Sequence, residues 1–263
     1  VFIIVLIWEL MRPFYQIEEY KKCRWIHNLS LMFFNSILVN IFLTFSAAII
    51  AFWAEGESIG LLNKLELPFV IKIILGLIIL DFAIYTQHLL FHKMPILWRI
   101  HRVHHADINF DLTTALRFHP IEMILSMTIK MIIIYYLGIS AFCFLLFEII
   151  LNGMAMFNHS NITLPSFADH LLRFFIVTPD MHRIHHSINA KDFNSNFGFN
   201  MSFWDRLFRT YREQPIESLH EIKIGLCSFK NPKYQKLHWI LAIPFVNTDK
   251  LDKKITELSK ENI

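Results

Sequence analysis

The most constraining feature of this sequence is a pair of long apolar runs that carry almost no charge. Residues Ile26 to Trp53 include no Asp, Glu, Lys or Arg, and residues Phe69 to Phe91 include only Lys72 and Asp81. A helix needs about 20 mainly apolar residues to cross a bilayer, so both runs are long enough. Composition agrees, because 54% of the 263 residues are hydrophobic and 15% are aromatic. The sequence therefore predicts an all-α, multi-pass integral membrane helical bundle.

The charges that flank these runs predict how the chain crosses the membrane. Three cations, Lys21, Lys22 and Arg24, lie at the start of a span that begins near Trp25, and positive charge marks the cytoplasmic end of a span. A second span, from Phe69 to about Gln87, then returns the chain to the cytoplasmic side. The polar, histidine-rich segments that follow are therefore expected to form a cap on the cytoplasmic face.

A third apolar stretch, Ile121 to Phe157, is interrupted at Leu137-Gly138 and predicts a membrane hairpin with both ends on the cytoplasmic face. Lys130 lies inside its first half, and we expect its long stem to extend its charge to the membrane interface. A later patch, Leu171 to Val177, is apolar enough to lie flat on the membrane. The first run, Val1 to Met11, is too short to span and lacks a signal-peptide pattern, so it is expected to be the end of a truncated membrane helix.

Two classes of protein are not supported. The formal net charge is +3, and the basic residues flank apolar runs rather than forming a stripe with stacking aromatics, so nucleic acid is not an expected partner. The cysteines, Cys23, Cys143 and Cys227, are odd in number and widely spaced without a CxxC pair. This pattern argues against a disulfide framework and against a thiolate metal site.

Histidine clusters are the strongest functional signal in the chain. Eight of its 14 histidines fall into one HxxxH and two HxxHH clusters, namely His88 and His92, then His101, His104 and His105, then His182, His185 and His186. Residues at i, i+3 and i+4 share one helix face, so each cluster would aim its imidazoles in a single direction. The predicted topology places all three clusters on one side of the membrane, where they can surround one cavity.

So many convergent imidazoles predict two metal ions, because a single zinc site needs only three or four protein ligands. Imidazole binds iron, zinc, copper and nickel alike, so the ligand type does not identify the metal. His159 follows the hairpin at its cytoplasmic end and is predicted to be a ninth ligand. His119 precedes a proline and stands alone, and we expect a structural role for it. His27, His170, His220 and His238 are expected to be ordinary surface or core residues.

Metal-bound imidazoles usually donate their other N–H group to a carboxylate or a carbonyl. Candidates near the clusters, by sequence position, are Asp81, Asp107, Asp111, Asp180 and Asn194. Asp81 precedes His88 on nearly the same helix face, although an interhelical hydrogen bond explains an acid in a span equally well. Asn194 lies in an Asn-Ser-Asn segment that could instead form a turn.

The order of these motifs, HxxxH, HxxHH, a membrane hairpin and a second HxxHH, resembles the fatty acid hydroxylase/sterol desaturase superfamily. The similarity extends to the segments around the clusters and covers roughly residues 8 to 245. It looks closest to the bacterial branch in four stretches, residues 97–105, 113–120, 177–187 and 203–208, which read LWRIHRVHH, TTALRFHP, VTPDMHRIHHS and FWDRLF. We divide the chain accordingly into a membrane-embedded domain, residues 1–245, and a polar C-terminal tail, residues 246–263.

This resemblance implies a non-haem di-iron oxidoreductase that uses O2 to hydroxylate or desaturate a lipid, such as a sterol, a fatty acyl chain or an ether lipid. Its ligands would be the eight clustered histidines together with His159. We expect no fused cytochrome b5 domain of the kind that some relatives have, and therefore an external electron donor, a ferredoxin, a cytochrome or a reductase. A bacterial inner membrane is the expected location.

Two other functions compete with this interpretation. A membrane hydrolase with two zinc ions would want a carboxylate base such as that of HExxH, and the sequence has no HExxH. A metal-binding or transport protein would place polar ligands near the middle of the bilayer, whereas these histidines gather at one end of the spans. An alkyl C–H bond offers no acidic proton or electrophile, so its oxidation requires a redox cofactor.

Overall fold

The computed structural model of the chain describes residues 1–16, 20–38, 43 and 45–248. Within them lie thirteen α-helices: α1 (Phe2–Met11), α2 (Lys21–Asn35), α3 (Phe45–Gly56), α4 (Leu61–Lys64), α5 (Phe69–Lys93), α6 (Pro95–His105), α7 (Pro120–Leu137), α8 (Ala141–Asn158), α9 (Ser166–Leu172), α10 (Pro179–His185), α11 (Ala190–Phe193), α12 (Phe203–Leu207) and α13 (Leu237–Ala242). Short 3-10 helices cover Leu112–Leu116, Cys227–Phe229, Pro232–Gln235 and Ile243–Phe245.

The predicted all-α membrane architecture is confirmed. Within the described ranges, β-structure is limited to isolated bridges such as Ile176 with Met201. Four helical segments are long and apolar enough to cross a membrane: Phe45–Lys64, Phe69–Lys93, Pro120–Leu137 and Ala141–Asn158. No more than 28% of any of these windows is buried inside the protein, so most of their apolar surface faces outward, as a bilayer requires.

The first long apolar run divides into two parts with different surroundings. Its first part, from Ile26 to Asn35, belongs to α2, whose buried side chains include Asn28 and Asn35 and which packs against the 3-10 helix Leu112–Leu116. Among the described residues, the candidate span in this run begins at Phe45 rather than near Trp25. Residues 39–42 and 44, through which a single span would continue, lie outside the described part of the chain.

The membrane bundle is formed by α3, α5, α7 and α8, in which α3 and α5 each pack against both α7 and α8. Its core is apolar and tightly packed, with Leu80, Met127, Ile134 and Phe144 at most 2% exposed. Because lipid tails are as apolar as these side chains, the core stabilises the bundle through close packing rather than through removal of apolar surface from water.

The predicted break in the third apolar stretch is confirmed as the turn between α7 and α8. Gly138 ends α7 in the left-handed conformation at φ 70°, which an L-residue with a side chain adopts only at a cost. A Cβ atom on Gly60, at φ 93°, would lie 2.2 Å from the Gly138 nitrogen. Both positions therefore need glycine, and their close approach fixes the hairpin against the loop after α3.

Helices α2, α6 and α9–α13 form a cap over one end of the bundle, whereas α4 lies at the other end, beside Gly138. The cap is attached to α5 through Asp81, which accepts hydrogen bonds from Trp204 Nε1 at 2.8 Å and from the Met201 amide at 3.3 Å. Arg102 on α6 donates to the Val246 carbonyl at 2.5 Å and to Thr248 Oγ1 at 2.5 Å, so the chain is bound to the cap up to residue 248. The rest of the predicted polar tail, residues 249–263, lies outside the described residues.

Candidate metal centre

Four helices bring nine histidines to the junction of the bundle and the cap. The last two turns of α5 carry His88 and His92, and Pro95 at the first turn of α6 follows after a tight turn. α6 then presents its HxxHH cluster, and α10 presents the second one. α10 is short but well delimited, because the Thr178 side chain caps it and Pro179 occupies its first turn. His159 caps the C-terminal end of α8.

The nine histidines separate into two groups. Within each group, the candidate ligand atoms all lie within 4.8 Å of one another. The five-histidine group consists of His88, His92, His101, His105 and His185. The four-histidine group consists of His104, His159, His182 and His186. The structure thus brings together all nine histidines that the sequence predicts as ligands, and it divides them as two metal ions would require. α6 and α10 each contribute to both groups.

In the four-histidine group, three ring nitrogens converge on one point. Nε2 of His159 lies 3.0 Å from Nε2 of His104 and 3.0 Å from Nε2 of His182. Nδ1 of His159 lies 2.8 Å from the Ala155 carbonyl, and only a protonated nitrogen can donate to that oxygen. The Nε2 lone pair of His159 therefore points toward the other two rings, which is the arrangement of three ligands around a shared cation.

In the five-histidine group, three rings are oriented by acceptors on their far side. Nδ1 of His101 lies 2.7 Å from Oε1 of Glu122. Nδ1 of His88 lies 2.8 Å from the Phe197 carbonyl, and Nδ1 of His185 lies 2.7 Å from the Ser195 carbonyl. Each acceptor fixes the proton on Nδ1 and leaves Nε2 as a free lone pair, the tautomer that a metal ligand needs.

The ring nitrogens that have no carbonyl or carboxylate acceptor show whether a cation fits between the histidines. Nε2 of His88, His101, His105, His185 and His186 is buried without a hydrogen-bond partner, and both ring nitrogens of His92 are in the same condition. Buried polar atoms are normally hydrogen-bonded, and leaving one unpaired costs about 1–3 kcal/mol. A concentration of such atoms at one point fits metal ions bound by lone pairs, so the histidine groups can bind metal.

Electrostatics keep the cap histidines in the neutral form that binds metal. Burial, followed by the neighbouring imidazoles, holds the pKa of His104, His105 and His186 well below the usual value. Burial also lowers the pKa of His159 and of His185 to about 3, against the opposing effect of their carbonyl acceptors. Neutral imidazole is the ligand form, so no proton has to be removed before metal binds near pH 7.

Glu122 is the one carboxylate that contacts a histidine of the groups in the described structure, and the sequence-based selection missed it. The five predicted side chains have other partners. Asp81 accepts from Trp204, Asp180 pairs with Arg183, and Asn194 donates to the Ala190 carbonyl. Asp107 and Asp111 pair with Arg24. The groups that orient the histidines are therefore Glu122 and the backbone carbonyls of Phe197, Ser195 and Ala155, not the five predicted side chains.

Arg24 joins Asp107 and Asp111 in a buried network beside the histidines. Its guanidinium donates to both oxygens of Asp107, at 2.5 and 2.9 Å, and to Asp111 Oδ2 at 2.7 Å. Trp25 Nε1 also donates to Asp111 Oδ2, at 3.0 Å. Burial raises the pKa of Asp107, but the Arg24 charge and its hydrogen bonds outweigh burial and bring this pKa to about 2. This network fixes α2 to the loop that follows α6.

The isolated histidine His119 has the structural role that we expected. Its Nδ1 accepts from the Ile121 amide at 3.2 Å and so caps the N-terminus of α7, and its Nε2 lies 3.3 Å from the Leu241 carbonyl. Both nitrogens are thus occupied by the fold, in contrast to those of the two histidine groups.

A cavity of about 400 Å³ extends from the histidine groups into the membrane bundle. His88, His101 and His104 line it where the bundle meets the cap. Most of the remaining wall is apolar, with side chains that include Ile84, Phe91, Met127, Leu151 and Phe199. The cavity suits an alkyl chain whose end or middle approaches the histidines.

Lys130 also lines this cavity, and the prediction that it extends to the membrane interface is wrong. Its side chain is only 5% exposed and forms an ion pair with Glu148 of α8. An ammonium group that has a carboxylate partner inside the bundle does not need to reach the interface. The prediction considered α7 alone and overlooked the opposite charge on the other half of the hairpin.

Comparison with known families agrees with this geometry. The family model for fatty acid hydroxylases matches residues 73–210, more than half of the 263-residue chain. The match includes all eight clustered histidines and His159. The chain belongs to the fatty acid hydroxylase family. Family membership confirms the resemblance that the histidine motifs suggested. No solved structure matches the chain.

Relatives of this family member act on different lipids, judged by their names. An ornithine lipid hydroxylase from Rhizobium tropici is 31% identical over 157 residues, which are 60% of this chain and 46% of that protein. Human alkylglycerol monooxygenase is 24% identical over 159 residues, 60% of this chain and 34% of that protein. Rat cholesterol 25-hydroxylase is 27% identical over 167 residues, which are 62% of this chain and 54% of that protein. The matched regions span about half or less of these relatives.

Proposed function

We propose that this chain is a membrane-bound non-haem di-iron oxidoreductase that uses O2 to hydroxylate or desaturate a lipid. The observation that carries the proposal is the convergence of unpartnered histidine nitrogens on the wall of an apolar cavity inside a membrane bundle. Family membership supports it, because the relatives include proteins named as an ornithine lipid hydroxylase and an alkylglycerol monooxygenase.

The residues divide the work of such a reaction between them. The five-histidine group and the four-histidine group would each hold one iron. Bound iron supplies the O2 chemistry that an unactivated C–H bond requires. Glu122 holds His101 in its ligand tautomer, and the Phe197 and Ser195 carbonyls do the same for His88 and His185. The apolar cavity wall orients the alkyl chain toward the histidines and excludes water from the reacting carbon.

The proposed orientation places the histidine groups on the cytoplasmic face of a bacterial inner membrane. Lys21 and Lys22 at the cap end of α2 support it through the positive-inside rule. An external donor, a ferredoxin, a cytochrome or a reductase, would deliver electrons from the cytoplasm. Hydroxylation and desaturation begin with the same hydrogen abstraction, so both outcomes fit the same histidine groups.

Metal analysis of detergent-purified protein tests the proposal. Elemental analysis with Mössbauer spectroscopy is applied to the wild type, to His104→Ala in the four-histidine group and to His185→Ala in the five-histidine group. We expect about two irons per wild-type chain, in line with two closed ligand groups, and a marked loss in each variant. His238→Ala is the matched control, because its side chain is exposed and lies outside both groups.

The opposite outcome is equally informative. Redox-inactive zinc retained after growth with ample iron, together with no O2 consumption by the reduced protein, would overturn the di-iron proposal and favour a hydrolytic or structural metal site.

A further inference from the structure

A buried ion pair lies in the wall of the cavity, away from the histidines. Lys130 of α7 donates to Glu148 of α8, and their side chains are 5% and 17% exposed. Both residues stand near the middle of helices that are candidate membrane spans. Charged residues inside a span are costly and usually face a cavity with a function, and this pair lines the cavity.

The pair continues a row of polar side chains on one wall. Glu122, Ser126 and Lys130 follow one another at i, i+4 and i+8, so they share one face of α7. Glu148 and Asn152 do the same on α8, and all five residues line the cavity. One side of the cavity is therefore polar from the Glu122–His101 contact to the ion pair.

Other contacts than this pair also hold α7 and α8 in place. α7 and α8 are already held by the apolar core and by the glycine turn at Gly138, and buried ion pairs can often be replaced by apolar residues without loss of stability. Lys130 has three N–H donors, and its described partner is one oxygen of Glu148. The pair thus keeps donors and an acceptor oxygen available to a molecule in the cavity.

We propose that Lys130 and Glu148 bind a neutral polar group of the lipid substrate, a hydroxyl or an amide, while the chain of that lipid reaches the histidine groups. The substrate class rests on the proposed function. The pair has no net charge, so an ionised headgroup would remain unpaired at this depth. A hydroxyl or an amide both donates and accepts, which matches an ammonium beside a carboxylate.

Helix geometry sets the spacing between the polar group and the carbon that is oxidised. Lys130 follows Glu122 by eight positions on one helix, which corresponds to about 12 Å at the rise of an α-helix. Glu122 contacts His101 of the five-histidine group. The polar row therefore extends about 12 Å from the histidine end of the cavity, and a lipid with a hydroxyl or an amide at its far end fits the row better than a plain hydrocarbon chain.

Binding of two simple probes tests this site without any turnover. Labelled 1-dodecanol and dodecane are bound to the purified full chain in detergent, and their affinities are compared as mole fractions in the micelle. A hydrogen bond to a charged group supports at least about tenfold tighter binding of the alcohol. In the double variant Lys130→Met with Glu148→Leu, we expect the two probes to bind equally within about twofold.

Two further variants separate recognition from folding. The charge-swapped double variant, Lys130→Glu with Glu148→Lys, keeps an ion pair and should keep the preference for the alcohol. Lys72→Met is the matched control, because Lys72 is a span lysine that does not line the cavity. It should bind both probes as the wild type does.

Equal binding of the two probes by the wild type would overturn the proposal, whatever the variants do. Retention of the preference in the apolar double variant would overturn it as well. Iron is measured in the same samples, so the two proposals fail separately. Absence of iron with an intact preference for the alcohol would refute the di-iron function and leave the polar site standing.

Discussion

The cap contains two buried polar regions side by side, and they differ in how their atoms are paired. In the Arg24 network, the guanidinium binds two carboxylates, and Trp25 and Asn28 supply further donors. In the histidine groups, nine ring nitrogens across eight residues lack a partner, among them both nitrogens of His92. The first region is complete within the protein, whereas the second is complete only with something bound. Pairing, rather than burial or polarity, distinguishes the scaffold from the site.

The sharpest way to break this comparison is to remove the metal. Chelation of the purified protein should lower its free energy of unfolding by about 4 kcal/mol or more if free metal stood a thousandfold above Kd. The loss arises because histidine nitrogens that had a cation become unpaired. Thermal unfolding in detergent, before chelation and after iron is restored, measures it. An unchanged Tm would mean that the histidine groups are as complete as the Arg24 network.

Arg24→Met removes the cation of the Arg24 network. It leaves Asp107 and Asp111 buried without their cation, which should destabilise the protein by about 3–5 kcal/mol. Unfolding in mixed SDS micelles provides the measurement. Arg209→Met serves as the control, because Arg209 is exposed and should change stability by no more than about 0.5 kcal/mol. A mild effect of Arg24→Met would show that the network does not hold the cap together.

Glu122→Gln tests whether a residue that contacts a histidine group affects metal binding without affecting the fold. Loss of the carboxylate beside His101 should weaken metal binding by the five-histidine group about 10–100-fold while the fold is retained. Competition with a chelator measures the affinity. Glu148→Gln is the matched control, since Glu148 lines the same cavity and contacts Lys130 instead of a histidine. Equal weakening by both variants would place the effect in the cavity rather than in the His101 contact.

His238→Ala should have the smallest effect. The side chain is exposed and belongs to neither histidine group, so we expect stability to change by no more than about 0.5 kcal/mol. The iron content should equal that of the wild type. A loss of iron in His238→Ala would show that histidines outside the two groups also contribute to iron binding.

Local periodicity explains why the histidine groups could be predicted from sequence. His101, His104 and His105 share a helix face by spacing alone, and α6 forms as that spacing requires. The hairpin break was likewise visible as Leu137-Gly138, because glycine readily adopts the left-handed conformation that ends α7. These features depend on residues close together in the chain.

Contacts between distant segments were harder to predict. Glu122 is 21 positions from His101, and the aspartates that follow the first HxxHH cluster in sequence bind Arg24 instead. Its signal was an acid at the start of an otherwise apolar helix. Lys130 and Glu148 offered a similar signal, since opposite charges lie in the two halves of one hairpin. Considering both halves together would have predicted that they meet.

The interleaving of the two histidine groups has a consequence for how the protein is made and how it varies. α6 gives His101 to one group and His104 to the other, and α10 gives His185 to one and His182 to the other. Neither group exists until α10 has been synthesised and has docked, so metal capture has to follow folding of most of the chain. A drift in the position of either helix also alters both sites at once, which leaves selection little freedom to retune one metal alone.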